Sequence, residues 1–193
     1  MSWETFERTL EHVAYYVKQG TQGEVSLTGI GEAILYPRFI EALFRVRETI
    51  GHRNIVLATN GVAMTPEIAE VLAKLRVITF VSTHRPEKAG PAWEMLKKAG
   101  GIGGLNTAFV DSSIDWAGQV KWHVSGKIHD CTYLGAAWGV VRQDGSVNAC
   151  CMDAHGKHKL GSVWDEPGTL MTRPIGLCGS CHLKVPEHMR EAA

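Results

Sequence analysis

The chain has 193 residues, 45% hydrophobic and 21% charged, the proportions of an ordinary globular protein of one medium domain or one domain with a small appendage. Its 20 Lys and Arg balance 20 Asp and Glu, so no net field draws it to nucleic acid or to an anionic membrane. No apolar run approaches the ~20 residues that cross a bilayer, and the acid in Met1-Ser2-Trp3-Glu4-Thr5 is unlike a secretory signal, so the expected location is the cytoplasm, or an assembly formed there.

The first 110 residues or so alternate helix and strand. Trp3, Phe6, Leu10, Val13 and Val17 recur at spacings of three and four, the apolar stripe of a helix that Gly20 ends. Val25 and Leu27 alternate with polar neighbours as a short strand. Pro37 suits the first turn of a second helix, with Phe39, Ile40, Leu43, Phe44 and Ile50 inward and Gly51 past its end. Ile55-Val56-Leu57-Ala58 is a buried strand. Thr65-Pro66-Glu67 then supplies an N-cap, a proline at the first helical position and a first-turn acid for a third helix through Ile68, Leu72 and Leu75. Val77 to Val81 forms the next strand, Pro91 to Gly100 a fourth helix, and Leu105 to Val110 a fourth strand.

Strand–helix units repeated in this way predict a parallel sheet with right-handed crossovers. Four strands are too few for a closed barrel of eight, and the sequence opens on a helix without the strand that precedes it in a complete unit. After about residue 115 glycine, tryptophan and cysteine become frequent and helical periodicity ends. A boundary within 112–122 follows, dividing the chain into an α/β domain (1–115) and a small β-hairpin-rich domain (116–193). Trp116, Trp122, Trp138 and Trp164 are expected to pack the latter.

All five cysteines follow residue 130, which does not fit a secreted disulfide framework. Val140 to Ala149 contains Asp144-Gly145 between alternating residues, the signature of a two-residue hairpin turn. That turn sets Cys150 opposite Gly139, with room beside the sulfur. Cys178-Gly179-Ser180-Cys181 places two further thiols on one loop. Cys131, Cys150, Cys178 and Cys181 together suit tetrahedral zinc or a cubane iron–sulfur cluster, and spacing alone does not choose between them. Cys151, next to Cys150 on the strand, faces the other way and reads as packing. His155, His158 and His182 lie near the cysteines and read as surface residues.

Leu27-Thr28-Gly29-Ile30-Gly31-Glu32-Ala33-Ile34-Leu35 resembles the Gly-Gly-Glu-Pro stretch of radical S-adenosylmethionine (SAM) enzymes, with Ala33 in place of the proline. Thr59-Asn60-Gly61 and Val81-Ser82-Thr83 resemble the ends of that family's next two strands. Cys131, thirteen residues, Gly145, four residues, Cys150 resembles the opening of its C-terminal auxiliary-cluster domain, in the SPASM or shorter twitch form, and Gly156 to Trp164 is similar to that domain's second hairpin.

The resemblance implies a partial, truncated radical SAM-type parallel β/α barrel followed by a small cysteine cluster domain. It implies one [4Fe–4S] cluster on Cys131, Cys150, Cys178 and Cys181, with zinc as the alternative, and a vestigial SAM site at Gly31, Glu32, Asn60 and Ser82. The family's Cys-x-x-x-Cys-x-x-Cys loop does not occur in this sequence. SAM cleavage by the chain on its own is therefore not expected, although Glu32 also suits a plain helix cap. The function implied is a cluster-bearing structural or interaction component of a larger assembly. The alternatives are a piece of an enzyme whose catalytic cluster comes from another segment or partner, and an electron-transfer module. Open sheet edges imply a protein partner or a homo-oligomer, with Ile34, Leu35, Ile55 and Val56 near that surface.

Overall fold

The computed structural model describes residues 1–28, 31–106, 131, 139–153, 155–170 and 174–181. By its contacts the chain divides into two compact units, Thr21–Asp111 and Met1–Gly20 with Ser112–Ala193. Helix α1 (Trp3–Lys18) thus groups with the C-terminal residues and not with the parallel sheet that follows it.

The first unit is a four-stranded sheet in the order β1 (Val25–Ser26), β2 (Ile55–Thr59), β3 (Ile78–Ser82), β4 (Ile102–Asn106), every pair parallel. Helices α2 (Phe39–Ile50), α3 (Pro66–Lys74) and α4 (Pro86–Lys98) make the crossovers. Sequential order with right-handed crossovers puts all three on one face. Burial agrees: Ile55, Leu57, Thr59, Thr79 and Val81 are inaccessible along with Leu43, Val46, Leu72 and Leu96 of the helices, whereas Phe80 on the opposite face is 39% exposed.

Local chemistry sets the boundaries. Thr65 caps α3 by accepting the Ile68 amide at 3.2 Å, with Pro66 at the first helical position as the sequence predicts. Helix α4 starts five residues earlier than Pro91 suggests. Pro86 and Glu87 form its first turn, and Pro91 lies inside it, one turn along, where its missing N–H leaves the Glu87 carbonyl without its helical donor. Strand β4 also starts earlier than predicted, at Ile102; residues 107–110 of the predicted strand lie outside the described residues. Gly103 and Gly104 lie within this earlier part of the strand, and at Gly103 the β3 backbone leaves no room for a side chain. A Cβ there would sit 1.8 Å from the Thr79 carbonyl oxygen, and its φ is 136°.

The second unit contains a three-stranded antiparallel meander of β5 (Val140–Val141), β6 (Ser146–Asn148) and β7 (Lys159–Ser162). Its first turn has three residues, not two. The Arg142 amide donates to Ser146 O (2.8 Å) and the Gly145 amide to Arg142 O (3.0 Å), with Gly145 left-handed at φ 81°. This is a type I turn closed by a glycine bulge. Val140 therefore faces Asn148 and Val141 faces Val147, a register one residue away from the predicted one. Such a slip changes which residues face each other and which face of the sheet each side chain takes. Cys150 is accordingly not opposite Gly139, where a Cβ would meet Val147 Cγ1 at 3.2 Å.

Helix α1 buries Phe6 and Leu10 as the stripe predicts, but also Thr5 and His12. His12 Nε2 donates to Val163 O at 2.9 Å and the Tyr16 hydroxyl to Leu170 O at 2.9 Å. Polar side chains four residues apart, one helical turn, thus seat the helix against the segment following β7. Two other expectations change. Trp164 is 51% exposed and does not form a packed wall, and Ile34 and Ile55 are buried at 6% and 0%, leaving Leu35 at 69% on the surface and Val56 half-buried. Trp116, Trp122 and Trp138 lie outside the described residues.

The glycine pair in β4 supplies a direct test. Gly103→Ala should lower stability in urea melts by about 3 kcal/mol or more through overpacking against backbone and an unfavourable φ. Gly104→Ala, with nothing within 4 Å of the added methyl, should be neutral or mildly stabilising. Equal effects at the two positions would show that the close approach of β4 to Thr79 is absent.

Candidate functional site

Parallel strands end together, and the C-terminal ends of β1 to β3 bring three of the four predicted SAM-site residues onto one edge. Thr59 lies in register with Val81, so Asn60 and Ser82 follow side by side at the ends of β2 and β3. Glu32 reaches this edge from the segment after β1. Its Oε2 accepts the Asn60 amide at 2.8 Å, and its Oε1 accepts the Thr59 hydroxyl at 2.8 Å and, more weakly, the Ile34 amide at 3.4 Å. Glu32 also caps the 3₁₀ turn Ala33–Leu35, the role the sequence allowed as its plain alternative.

Both carboxylate oxygens are therefore engaged by the protein itself. Charge-assisted bonds of this kind contribute roughly 1.5–3 kcal/mol each. Asn60 Oδ1 accepts the Val62 amide at 2.9 Å, and Ser82 Oγ lies 2.7 Å from His84 Nδ1. Gly31, exposed at φ 136°, bends the chain into Glu32. Thr59, which the sequence places in the Thr-Asn-Gly stretch without a role of its own, is the hydroxyl that orients Glu32 while accepting the Gly61 amide at 3.1 Å. A threonine ending a buried strand directly before Asn-Gly was its available signal.

In the second unit Cys131, Cys150, Cys178 and Cys181 are half-buried cysteines outside any disulfide among the described residues. Cys150 lies beyond the end of β6 in a turn, where Asp153 donates its amide to Cys150 O at 3.2 Å. Strand alternation does not apply in a turn, so the expected opposition of Cys150 and Cys151 fails. The Cys151 side chain hydrogen-bonds the Cys150 thiol and, with burial, raises its pKa well above the usual range, against the Met152 amide that donates to Cys150 Sγ at 3.4 Å. Cys151 itself is exposed rather than packed. Cys178 sits in the 3₁₀ turn Gly176–Gly179 and accepts the Ile175 amide at 3.5 Å.

Sequence reasoning also missed Asp153, which shapes the loop beyond Cys150. It is 4% exposed, and its carboxylate accepts the Lys157 amide (3.0 Å), the His158 amide (2.7 Å) and Asn148 Nδ2 (3.4 Å). Burial alone would raise its pKa; the His158 and Lys157 amides outweigh it and hold the carboxyl below the ordinary range. An aspartate three residues before Gly156 is a loop signal that the sequence offers. His158 is half-buried, with Nδ1 3.7 Å from Asp153 Oδ2 and Nε2 3.7 Å from where a Gly176 side chain would begin, beside the turn carrying Cys178. His155 is exposed, and His182 lies outside the described residues.

Among the described residues no three His, Cys, Asp or Glu side chains are gathered closely enough to hold a metal ion. The donor set itself suits a cluster. It consists of four partly shielded thiols, and two of the sulfurs accept backbone N–H groups, the kind of bond that tunes cluster sulfur. Ligation by all four requires their loops to close, which couples binding to folding.

No protein-family model and no curated protein sequence matches the chain. Solved structures do. The crystal structure of BtrN in complex with AdoMet and 2-DOIA aligns with a TM-score of 0.69 over 86% of this chain and 67% of the BtrN chain, at 16% identity. Selenomethionine BtrN in an open conformation aligns with a TM-score of 0.59 over 86% and 65%, at 17% identity. This chain thus spans about two thirds of the BtrN chain, and no helix among its described residues is long and apolar enough to cross a membrane. At such identity the likeness is one of fold: a parallel four-stranded sheet followed by an antiparallel three-stranded sheet, matching a partial radical SAM β/α barrel with a small accessory domain, as in BtrN.

Proposed function

We propose that the chain is a cluster-bearing module of radical SAM-type fold, holding one [4Fe–4S] cluster on Cys131, Cys150, Cys178 and Cys181 and acting as a structural or interaction component of a larger assembly. The donor chemistry carries this reading: four half-buried thiols, with Cys150 and Cys178 already accepting backbone amides. When bound, such a cluster supplies a redox-capable cross-link between the segments that carry its cysteines. Asp153 holds the Cys150 loop through the Lys157 and His158 amides, and the 3₁₀ turn presents Cys178 ahead of Cys181. Zinc, the competing ion, more often draws on two Cys-x-x-Cys knuckles where this chain has one.

Glu32, Asn60 and Ser82 keep the position of a ligand edge at strand C-termini, and Gly31 precedes them. Their polar groups bond to Thr59, Val62 and His84, so a ligand there competes with the protein's own hydrogen bonds. Exposed Leu35 (69%) and Val62 (50%) offer a protein partner apolar surface near the same residues. A second reading has its own observation. The chain spans 67% and 65% of the two BtrN chains, which suits a piece of an enzyme completed by another segment or subunit.

Anaerobically purified protein should be brown and contain about four iron and four sulfide per chain. Cys178→Ser and Cys181→Ser should lose the absorbance, whereas Cys151→Ser should keep it. Stoichiometric zinc without sulfide would refute the cluster, and loss of the cluster in Cys151→Ser but not in Cys150→Ser would exchange those two ligands.

Incubated with SAM and dithionite, the chain alone should form no 5′-deoxyadenosine above a control lacking its cysteines. Its sequence contains no Cys-x-x-x-Cys-x-x-Cys loop, and a cluster held by four cysteines leaves no iron open. Sustained product from the chain alone would overturn the non-catalytic reading. Product that appears only when a second polypeptide bearing that loop is added would favour the enzyme-piece reading.

A further inference from the structure

At the other end of the parallel sheet lies a cavity of about 570 Å³, formed where the loops after α2 and α3 enter β2 and β3 and where β4 begins. Its volume is that of a small-molecule site. Arg47, His52, Arg53, Lys74 and Arg76 line it, and no acidic residue does. In a chain of zero net charge this is a marked local imbalance.

Part of that charge has a structural use. Arg47 donates to the carbonyls of Gly51 (2.6 Å), Arg53 (2.7 Å) and Leu75 (2.6 Å), tying the two loops together, and Arg53 donates to Thr21 O at 2.8 Å. These bonds satisfy carbonyls at and beyond the helix C-termini, whose dipole alone would repel an anion. Lys74 and Arg76 have no such use. Neither forms an ion pair with a described carboxylate, both are exposed, and Lys74 stands 5.7 Å over the Phe44 ring.

Arg76 is also the single non-glycine residue with positive φ among the described residues, at 51°. It ends α3 in the left-handed position that glycine fills most easily, with its amide on Ala73 O at 3.0 Å and the next amide on Leu72 O at 2.9 Å. The position therefore carries a long cation where glycine would relieve strain, a pattern that points to function. Burial, followed by the nearby Arg76 charge, pulls the Arg47 pKa below its usual range, a repulsion that a bound anion would relieve. Asn54 and the partly exposed Ile102 add an amide and an apolar wall.

We infer that this cavity is a binding site for a phosphorylated small molecule with at least two adjacent negative charges, held by Arg76 and Lys74 with Arg47 as the positioning residue of its wall. Arginine and lysine are the side chains suited to phosphate oxygens, and the apolar side at Ile102 accommodates the organic part of a phosphate ester. The site is independent of the cysteines and of the C-terminal edge of the sheet.

Calorimetry on the full chain with pyrophosphate, ATP and adenosine tests this. Pyrophosphate and ATP should bind saturably and more weakly as salt rises, and adenosine should not bind. Tighter binding of ATP than of pyrophosphate would identify a phosphate ester as the ligand, and the reverse a free diphosphate. Arg76→Gly should weaken both by about tenfold or more, while its melting temperature without ligand stays at or above that of the parent. Lys74→Gln should weaken binding similarly and provides a second variant that leaves the α3 terminus intact. Absence of saturable pyrophosphate and ATP binding at millimolar concentration, or binding that both variants leave unchanged, would overturn the inference.

Discussion

Parallel pairing is the constraint on which most of this molecule depends. A strand cannot rejoin its neighbour in parallel through a tight turn, so each pair from β1 to β4 requires a crossover, here α2, α3 and α4. Aligned strands then have two unlike ends. The C-terminal ends collect Glu32, Asn60 and Ser82, and the N-terminal ends collect Arg47, Lys74 and Arg76 from the loops that leave the helices. Strand direction thus decides which residues share an end of the sheet, and the sequence decides their charge.

At the C-terminal edge, the interaction that orders the residues is the Glu32 carboxylate on the Asn60 amide and the Thr59 hydroxyl. It ties the segment after β1 to the end of β2, where backbone pairing of a two-residue β1 contributes little. At the opposite edge the Arg47 guanidinium does the corresponding work by bridging three carbonyls. In each case one charged side chain holds two loops, and the polar groups around it are positioned as a result.

The antiparallel unit depends on a different device. A three-residue turn with left-handed Gly145 sets the β5–β6 register, and that register carries Cys150 past the strand end into the Asp153 loop. Buried Asp153 then replaces strand pairing by accepting amides from Lys157 and His158. Thiols presented on turns can approach a shared centre with little loss of regular structure, which suits a site that closes around its ligand. Helix α1 adds its buried face, with Phe6, Leu10 and His12, the last on Val163 O, to this unit.

The amino-acid sequence by itself determined the order and type of the main elements, because apolar periodicity and caps act over a few residues. Thr65-Pro66 started α3 where local rules place it, and the stripe of α1 and the buried run at Ile55 were legible for the same reason. It also supplied the four thiols and the residues of the strand-end edge. Tertiary structure decided what depends on distant neighbours. The early start of β4 rests on Gly103 fitting against Thr79. The one-residue register change rests on a bulge that the Asp-Gly signal does not distinguish from a tighter turn. The burial of His12, the engagement of Glu32 by Thr59, and the meeting of Arg47 with Arg76 all join segments remote in sequence, and no local pattern encodes such meetings.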